Sequence, residues 1–165
     1  MNRRNLATGA VLTALLPVAT AVTGWSSTAQ ATTADDCGSD LKTLYHTNMT
    51  YWYTDTNGKE QQVTSDVAGW VELRKSHCGV KAYVSLTGGT HFTGGELTGR
   101  VFSSPDGGDG ASNIDEQICG LDGAVPGAWC ATGFISPDGV FSRAVGRVEN
   151  NYPVTHGYAG ETPRY

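Results

Sequence analysis

The stretch that decides the fold is Cys78-Gly79-Val80-Lys81-Ala82-Tyr83-Val84-Ser85-Leu86-Thr87. Small or aliphatic residues occupy every second position, and polar or aromatic residues fill most of the positions between them. Successive side chains of a β-strand point to opposite faces, so this period of two predicts a strand with one buried and one exposed face. Strands of this kind are typical of antiparallel sheets.

The same period of two continues upstream. Residues 67–74 alternate in the same way, and only three residues, 75–77, separate them from the first strand, which predicts an antiparallel neighbour. Residues 47–53 and 61–64 are rich in aromatic and β-branched residues and flank Asn57-Gly58. An Asn-Gly pair provides the positive φ angles of a tight turn, so a hairpin is predicted here.

Downstream, glycine-rich turns separate four further predicted strands, at residues 91–93, 96–103, 129–135 and 140–148. The chain from Glu149 onward is predicted to be an extended C-terminal tail, and residues 40–46 admit one short helix. About seven to eight short strands predict an all-β fold, either a small antiparallel sandwich or a barrel.

Residues 1–31 are predicted to be a signal peptide. Two arginines precede an apolar stretch from Leu6 to Val22, and Ala29-Gln30-Ala31 forms a small-x-small cleavage site. Cleavage after Ala31 leaves residues 32–165 as a single secreted β-domain with a flexible N-terminal arm and the C-terminal tail. The protein is therefore expected to be extracellular.

The charge of this domain limits its partners. All 16 acidic residues but only nine of the 11 basic residues lie beyond Ala31, so the mature chain carries a net charge of −7. Such a surface repels nucleic-acid backbones and anionic lipids, and the chain has no cluster of Lys and Arg. We expect neither nucleic acid nor membrane as a partner.

The four cysteines, Cys37, Cys78, Cys119 and Cys130, all belong to the exported part, and their even number predicts two disulfides. Four cysteines allow three pairings. We favour Cys37–Cys78 with Cys119–Cys130, because the second pair brackets a Gly- and Pro-rich segment that can close as a tight loop. A zinc site is the rival interpretation, but there is no C-x-x-C and no histidine at ligand spacing.

No sequence motif points to catalysis. The chain lacks the nucleophile elbow, the zinc-protease helix, the phosphate loop and the dinucleotide fingerprint. The four histidines lie on separate segments: His46, His77, His91 and His156. No catalytic residue, cofactor or metal is predicted. One alternative remains, a small cell-wall or polysaccharide hydrolase that uses Glu72 or Glu96 with a nearby histidine.

Three segments are predicted to bind other proteins. Tyr51, Trp52 and Tyr53 are consecutive, so they cannot all face one core, and an exposed aromatic residue commonly marks a contact surface. The loop at 104–113 contributes Asp106 and Asp109, and is interpreted as a solvated loop rather than a calcium site. The loop between Cys119 and Cys130 would be stiff and would present three residues: Leu121, Val125 and Trp129.

A protease-inhibitor-like protein is a second alternative. A trypsin-like target calls for a basic residue on an exposed loop, and Arg100 and Arg143 are the candidates. Both fall on predicted strands, which favours blocking by an inserted loop over a substrate-like inhibitor.

A family resemblance adds to this interpretation. The run Gly69-Trp70-Val71-Glu72-Leu73-Arg74-Lys75-Ser76-His77-Cys78-Gly79-Val80-Lys81-Ala82-Tyr83, together with the early Cys37, resembles the V-E-L-R-x-S-x-x-C-x-x-x-W/Y signature of small secreted actinobacterial two-disulfide β-domains. It departs from that signature by one residue in the Ser-to-Cys spacing and by Tyr83 in place of Trp.

The size, the signal peptide and the two-disulfide β character are also similar to the adaptor subunit of the umbrella toxin particles of Streptomyces. That resemblance implies a non-enzymatic adaptor. Its partners would be a lectin subunit with a trypsin-like fold and a repeat-containing stalk protein.

Overall fold

The computed structural model of the chain describes residues 37–105, 114–137, 140–149 and 155–165. The predicted signal peptide and residues 32–36 of the predicted arm lie outside the described residues. The described chain forms these strands: β1 (Lys42–Thr54), β2 (Glu60–Ser76), β3 (Gly79–Leu86), β4 (Glu96–Ser104), β5 (Asp115–Leu121), β6 (Trp129–Ala131), β7 (Phe141–Glu149) and β8 (His156–Glu161). No helix in this part of the chain is long and apolar enough to cross a membrane.

All eight strands belong to one antiparallel sheet, in the order β5-β4-β7-β8-β1-β2-β3-β6. The two edge strands, β5 and β6, are joined by the Cys119–Cys130 disulfide, with 5.9 Å between the Cα atoms. The sheet therefore curls into a nearly closed barrel, and we call the line where β5 meets β6 the seam. The predicted all-β class is confirmed, as a barrel.

Both predicted disulfide pairings are confirmed. Cys37, just before β1, is bonded to Cys78 in the turn between β2 and β3, with 5.6 Å between the Cα atoms. This bond ties the beginning of the described chain to the long β2–β3 hairpin. The Cys119–Cys130 bond has a different role, because it connects strands that no backbone ladder pairs among the described residues.

The alternation of residues 78–87 is confirmed in β3. Val80, Ala82, Val84 and Leu86 are fully buried, whereas the residues between them are partly exposed. The interior of the barrel is filled by aliphatic side chains, one methionine and one tyrosine from the surrounding strands: Met49, Val71, Leu73, Leu97, Val101, Val148 and Tyr158.

Two inward-facing glycines allow the walls of this narrow barrel to approach each other. Gly99 of β4 pairs with Gly146 of β7. A Cβ atom added at Gly146 would lie 2.9 Å from Met49 Sδ and 3.0 Å from both Val71 Cβ and Val84 Cγ1. A side chain at either position would therefore fill space that the opposite wall already occupies.

Three local predictions are wrong. Residues 42–46, predicted as part of a helix, belong to β1 and pair with β2, because tertiary pairing overrides a weak local preference. Residues 91–93 form no strand: the Phe92 amide bonds the Gly89 carbonyl, closing a turn. The strand predicted at 129–135 is shorter, since β6 ends at Ala131 and Ile135 makes only an isolated bridge with Val80.

Two strands of the barrel are absent from the prediction. β5 has no counterpart among the predicted strands. Its positions opposite Val101 and Gly99 are Gln117, which is exposed, and Cys119, while the apolar Ile118 faces outward, so it lacks the usual apolar alternation. β8 replaces part of the predicted tail and lies between β7 and β1. The last residues continue this alignment, and Tyr165 exchanges two backbone hydrogen bonds with Ser142 of β7.

The close packing around Gly99 predicts a specific loss of stability when a side chain is added there. A Cβ added at Gly99 would lie 2.6 Å from Val84 Cγ2 and 2.8 Å from Cys119 Sγ. Gly99→Ala should therefore lower the free energy of unfolding by about 1–3 kcal/mol. The matched control is Gly120→Ala on the neighbouring strand, where the nearest atom is 3.7 Å away. It should stay within about 0.5 kcal/mol of the wild type in chemical denaturation. Equal effects of the two substitutions would contradict this account of barrel closure.

Candidate functional site

The seam determines which side chains around it face solvent. Cys119 pairs with the inward Gly99, and Cys130 pairs with the buried Val84, so both sulfur atoms lie inside the barrel. Neighbouring residues of a strand face opposite sides, so Ile118 and Trp129, each one residue before a cysteine, point outward on the two sides of the seam. They are 63% and 58% exposed.

The loop between the two cysteines adds two more exposed apolar residues, Leu121 at 42% and Val125 at 63%. Its backbone is held to the rest of the barrel at two points. The Gly127 amide bonds the Leu86 carbonyl at 2.8 Å, and the Ala124 amide bonds the Gly95 carbonyl at 2.9 Å. The loop is therefore fixed by backbone hydrogen bonds as well as by the disulfide.

We call Ile118, Leu121, Val125 and Trp129 the seam surface. Five of the eight large apolar side chains that are exposed in the described part of the chain lie between Ile114 and Trp129. Scattered exposed apolar residues are ordinary in soluble proteins, but their concentration in one short segment is typical of an interaction site.

Trp129 continues into a stacked row of side chains on the outer face of β3 and β2. Its ring stacks on that of Tyr83, with 5.6 Å between centroids and 20° between planes. The guanidinium carbon of Arg74 lies 3.9 Å from the Tyr83 centroid, at cation–π distance. Trp129 is thus supported from below and presents a flat, ordered aromatic face.

Glu72 extends this row towards β1. It accepts hydrogen bonds from Arg74 Nε at 2.6 Å and from Thr43 Oγ1 at 3.3 Å, and it lies 3.2 Å from His46 Nδ1. Burial alone raises the pKa of Glu72, but the hydrogen bonds with His46 and Arg74 and the charge of Arg74 hold it below its usual value. Glu72 is therefore an ionised carboxylate that fixes the orientation of Arg74.

A shallow groove of about 350 Å³ lies on the other side of the seam. It is lined by residues of β4, β5 and β7: Thr98, Arg100, Ile118, Val145 and Arg147. Arg100 forms a two-point ion pair with Glu116, and Arg147 Nη1 lies 3.4 Å from Glu149 Oε1. Ile118 therefore lines a groove whose edges carry charged side chains.

The predicted aromatic run lies away from the seam, on β1. Tyr51 and Trp52 are half-buried, and Tyr53 is exposed. The Tyr51 ring stacks on His91, with 4.4 Å between centroids and 15° between planes, and lies 6.0 Å from the Tyr53 ring. The run and the seam are therefore separate surfaces on different strands of the barrel.

A polar cluster beneath Tyr51 was not foreseen. The buried carboxylate of Asp66 accepts hydrogen bonds from the Thr90 amide at 2.9 Å and from the Tyr158 hydroxyl at 3.1 Å, and it lies 2.5 Å from His91 Nδ1. The Tyr158 hydroxyl accepts a bond from the His91 amide at 2.9 Å. We call Asp66, His91 and Tyr158 the His91 cluster, and it fastens the loop after β3 to the barrel.

The environment of the His91 cluster sets its protonation. Burial raises the pKa of Asp66, but the hydrogen bonds from His91, Thr90 and Tyr158 outweigh this and leave it below its usual value of 3.8. An ionised carboxylate only accepts, so Nδ1 of His91 carries the proton of that contact. Burial, together with the nearby Asp66 charge, raises the pKa of Tyr158 to about 12, so its phenol is neutral and can donate.

The remaining candidates are distributed over the molecule. Glu72 and Glu96 lie on β2 and β4, and the described partners of Glu72 are His46, Arg74 and Thr43. Arg100 and Arg143 lie on strands as expected, and Arg143 Nη2 is 2.6 Å from Glu161 Oε1.

Asp106 and Asp109 of the predicted acidic loop lie outside the described residues.

Sequence reasoning missed the residues that support the site. Tyr83 and Arg74 were seen only as outward positions of strands, and no local pattern says that they stack beneath a tryptophan from β6. Asp66 carried one available signal, because it is an acidic residue just before an alternating apolar run. Its three hydrogen-bond partners come from residues 24 to 92 positions away, beyond any sequence pattern.

The His91 cluster predicts a stability effect with a defined pH dependence. Asp66→Asn removes a charged acceptor from three hydrogen bonds and should lower the free energy of unfolding by about 1.5–3 kcal/mol at neutral pH. A lowered carboxyl pKa contributes stability above its usual value of 3.8 and loses it as the pH falls through the lower folded value. The difference between wild type and variant should therefore shrink below that pH.

Chemical denaturation across this range measures the effect, with Asp122→Asn in the exposed β5–β6 loop as control. A difference that stays constant into acid would show that the charge of Asp66 is not what stabilises the cluster.

The chain matches no family model, no curated protein and no solved structure. The function is therefore inferred from the geometry of the described residues.

Proposed function

We propose that this protein is a secreted, non-enzymatic binding module that acts as an adaptor between other extracellular proteins, and that the seam surface is its contact site. The observation that carries this proposal is the concentration of exposed apolar side chains on a short segment that a disulfide and backbone hydrogen bonds hold in place. A rigid surface loses little conformational entropy on binding, so its apolar area is available for affinity.

The composition of the seam surface favours a protein partner. Trp129 is a large aromatic residue stacked on Tyr83, and Arg74 contacts the same Tyr83 ring. Trp, Tyr and Arg are the residues enriched among binding hot spots. Ion pairs at the rim, such as Arg100 with Glu116, give the apolar residues a polar border, as at protein interfaces. The family resemblance suggests the class of partner, a secreted lectin with a trypsin-like fold or a repeat-containing stalk protein.

The two alternative functions have weaker support. A hydrolase that uses Glu72 as its general acid needs a protonated carboxyl group, whereas Glu72 is ionised and engaged by Arg74 and His46. A substrate-like protease inhibitor needs a basic residue on an exposed loop, whereas Arg100 and Arg143 lie within strands and are paired with Glu116 and Glu161.

Site-specific photo-crosslinking tests the adaptor proposal. A photoreactive residue replaces Val125 in the seam surface or, as matched control, Lys59 in the exposed β1–β2 turn. The full-length protein is expressed in its own producing cells. The Val125 position should give one defined adduct with another secreted protein, and the Lys59 position should not.

Competition makes the test quantitative. Unlabelled wild-type protein should suppress the Val125 adduct, and a Trp129→Ala competitor should do so at least about 30-fold less well, as expected for loss of a central aromatic anchor. Trp129 is exposed, so the variant should keep its stability. Equal adducts at the two positions, or equal competition by the variant, would contradict a role for the seam surface.

Secretion is tested separately. The protein recovered from the culture medium should begin at Thr32, because cleavage is predicted after Ala31. N-terminal sequencing and intact mass measure this, and they should also show that all four cysteines are oxidised. A product confined to the cell, or one that retains residues 1–31, would contradict the predicted export.

A further inference from the structure

The Cys37–Cys78 disulfide has an environment that the seam disulfide lacks. Both of its cysteines are half-buried and lie near the surface, where the chain enters β1 and where β2 turns into β3. The sulfurs of the seam disulfide lie against the interior instead: a Cβ added at Gly99 would be 2.8 Å from Cys119 Sγ and 3.2 Å from Cys130 Sγ. Cys119 is half-buried as well, but Cys130 is buried, so the two bonds differ in the access to one cysteine and in the groups that surround them.

A histidine lies directly beside the Cys37–Cys78 bond. His77 Nε2 is 3.5 Å from Cys78 Sγ, and its other ring nitrogen, Nδ1, is 3.1 Å from Asp40 Oδ1. Asp40 Oδ2 also accepts the His77 backbone amide at 2.9 Å. This backbone hydrogen bond is the main cause that keeps the pKa of Asp40 below its usual value, so the carboxylate is ionised at neutral pH.

The carboxylate, the imidazole and the sulfur are therefore aligned in that order. The carboxylate fixes the orientation of the ring and keeps a proton on Nδ1, and this leaves Nε2 directed at Cys78 Sγ. The ring is 58% exposed and the carboxylate 43% exposed, so solvent can exchange protons with both. Neither side chain is buried, so the pair adds hydrogen bonds between the segment before β1 and the β2–β3 turn but little packing.

We propose that Cys37–Cys78 is a thiol–disulfide exchange site, in which an external thiolate attacks Cys37 Sγ and Cys78 leaves as a thiolate that His77 stabilises. The attack forms a mixed disulfide between the external thiol and Cys37. The electron pair of the broken bond goes to Cys78 Sγ, and the protonated imidazole donates a hydrogen bond or its proton to that sulfur. A second thiol then releases Cys37, so two thiols are oxidised to a disulfide and Cys37–Cys78 is reduced.

His77 can assist the departure of Cys78 because a thiol of lower pKa is a better leaving group, and a neighbouring imidazolium lowers a thiol's pKa. A groove of about 230 Å³ lies on the Cys78 side of the bond and is lined in part by Lys75, His77, Cys78 and Ser136. Cys37, the sulfur that is attacked, is half-buried and so is partly exposed to solvent. The charged and titratable groups that the described structure places around His77 are Asp40, before β1, and Lys75, at the end of β2. The segment at 136–137 contributes only uncharged side chains.

The substrates are compounds that carry a free thiol, either small molecules or a cysteine of a partner protein. Cys37 lies outside the sheet, whereas Cys78 is in the turn that joins two core strands. Exchange would therefore attach the partner to the segment before β1 and leave the barrel closed by Cys119–Cys130. This activity does not depend on the seam surface, and the two proposals can fail separately.

The Cys119–Cys130 disulfide of the same chain serves as the control for the experiment. Purified wild-type protein is incubated under native conditions with glutathione or dithiothreitol, samples are quenched by alkylation, and peptide mapping follows the two disulfides at the same time. Cys37–Cys78 should open faster than Cys119–Cys130, by on the order of tenfold or more. Equal rates, or faster opening of the seam bond, would overturn the proposal without any variant.

Substitutions separate the effect of His77 from simple exposure of the bond. Both bonds face the same thiolate, so the ratio of their rates cancels the ionisation of the reagent.

His77→Gln should lower the ratio severalfold, and Asp40→Asn should have a smaller effect in the same direction. His156→Gln is the matched control, since His156 lies on β8 and contacts Thr155. The side chain of His77 is exposed, so its variant is expected to fold. An unchanged ratio in His77→Gln, or the same decrease in His156→Gln, would show that His77 does not assist the exchange.

Discussion

The Cys119–Cys130 disulfide is the constraint on which the rest of the structure depends. An eight-stranded sheet with the order β5-β4-β7-β8-β1-β2-β3-β6 leaves one edge at β5 and one at β6. An unpaired edge is a template for association with other chains, and β6, with three residues, is too short to close the barrel by backbone pairing alone. A covalent bond between the edges closes it instead, and a loop of this size adds about 3 kcal/mol of stability in the chain-entropy model. The closure also requires space inside, which Gly99 and Gly146 provide.

This closure explains why apolar side chains are exposed around the seam. Once the cysteines face inward, their neighbours Ile118 and Trp129 must face outward, because the strand alternates. The same bond ties the two ends of the loop that carries Leu121 and Val125. Apolar side chains on a flexible loop would lose entropy on binding, whereas these are already held in place. Stability of the barrel and presentation of the seam surface thus have one cause.

The sequence was informative where a pattern is local. Strict alternation identified β3, Asn57-Gly58 identified the β1–β2 turn, and the spacing of Cys119 and Cys130 identified their pairing. It was uninformative where a residue is defined by distant partners. β5 has mixed faces because it flanks the seam, and β8 gains its structure only from pairing with β1 and β7. For the candidate site, the exposed positions Leu121, Val125 and Trp129 could be identified as a closed loop, but the stacking of Trp129 on Tyr83 required the register of β3 with β6.

The histidines illustrate how much of the chemistry depends on such distant partners. Three of the four pair with a carboxylate: His46 with Glu72, His77 with Asp40 and His91 with Asp66. The three pairs differ in the additional group that each imidazole contacts. His46 stacks on Trp70, His91 stacks on Tyr51 above the neutral Tyr158 phenol, and His77 faces a disulfide sulfur. A carboxylate that orients an imidazole is common to structural and reactive sites, so this pairing alone does not show to which kind of site a histidine belongs. Trp70 and Tyr51 are aromatic rings that contribute packing, whereas the disulfide sulfur beside His77 can accept an electron pair and a proton. The same pairing therefore fastens strands and loops in two places and assists bond cleavage in the third.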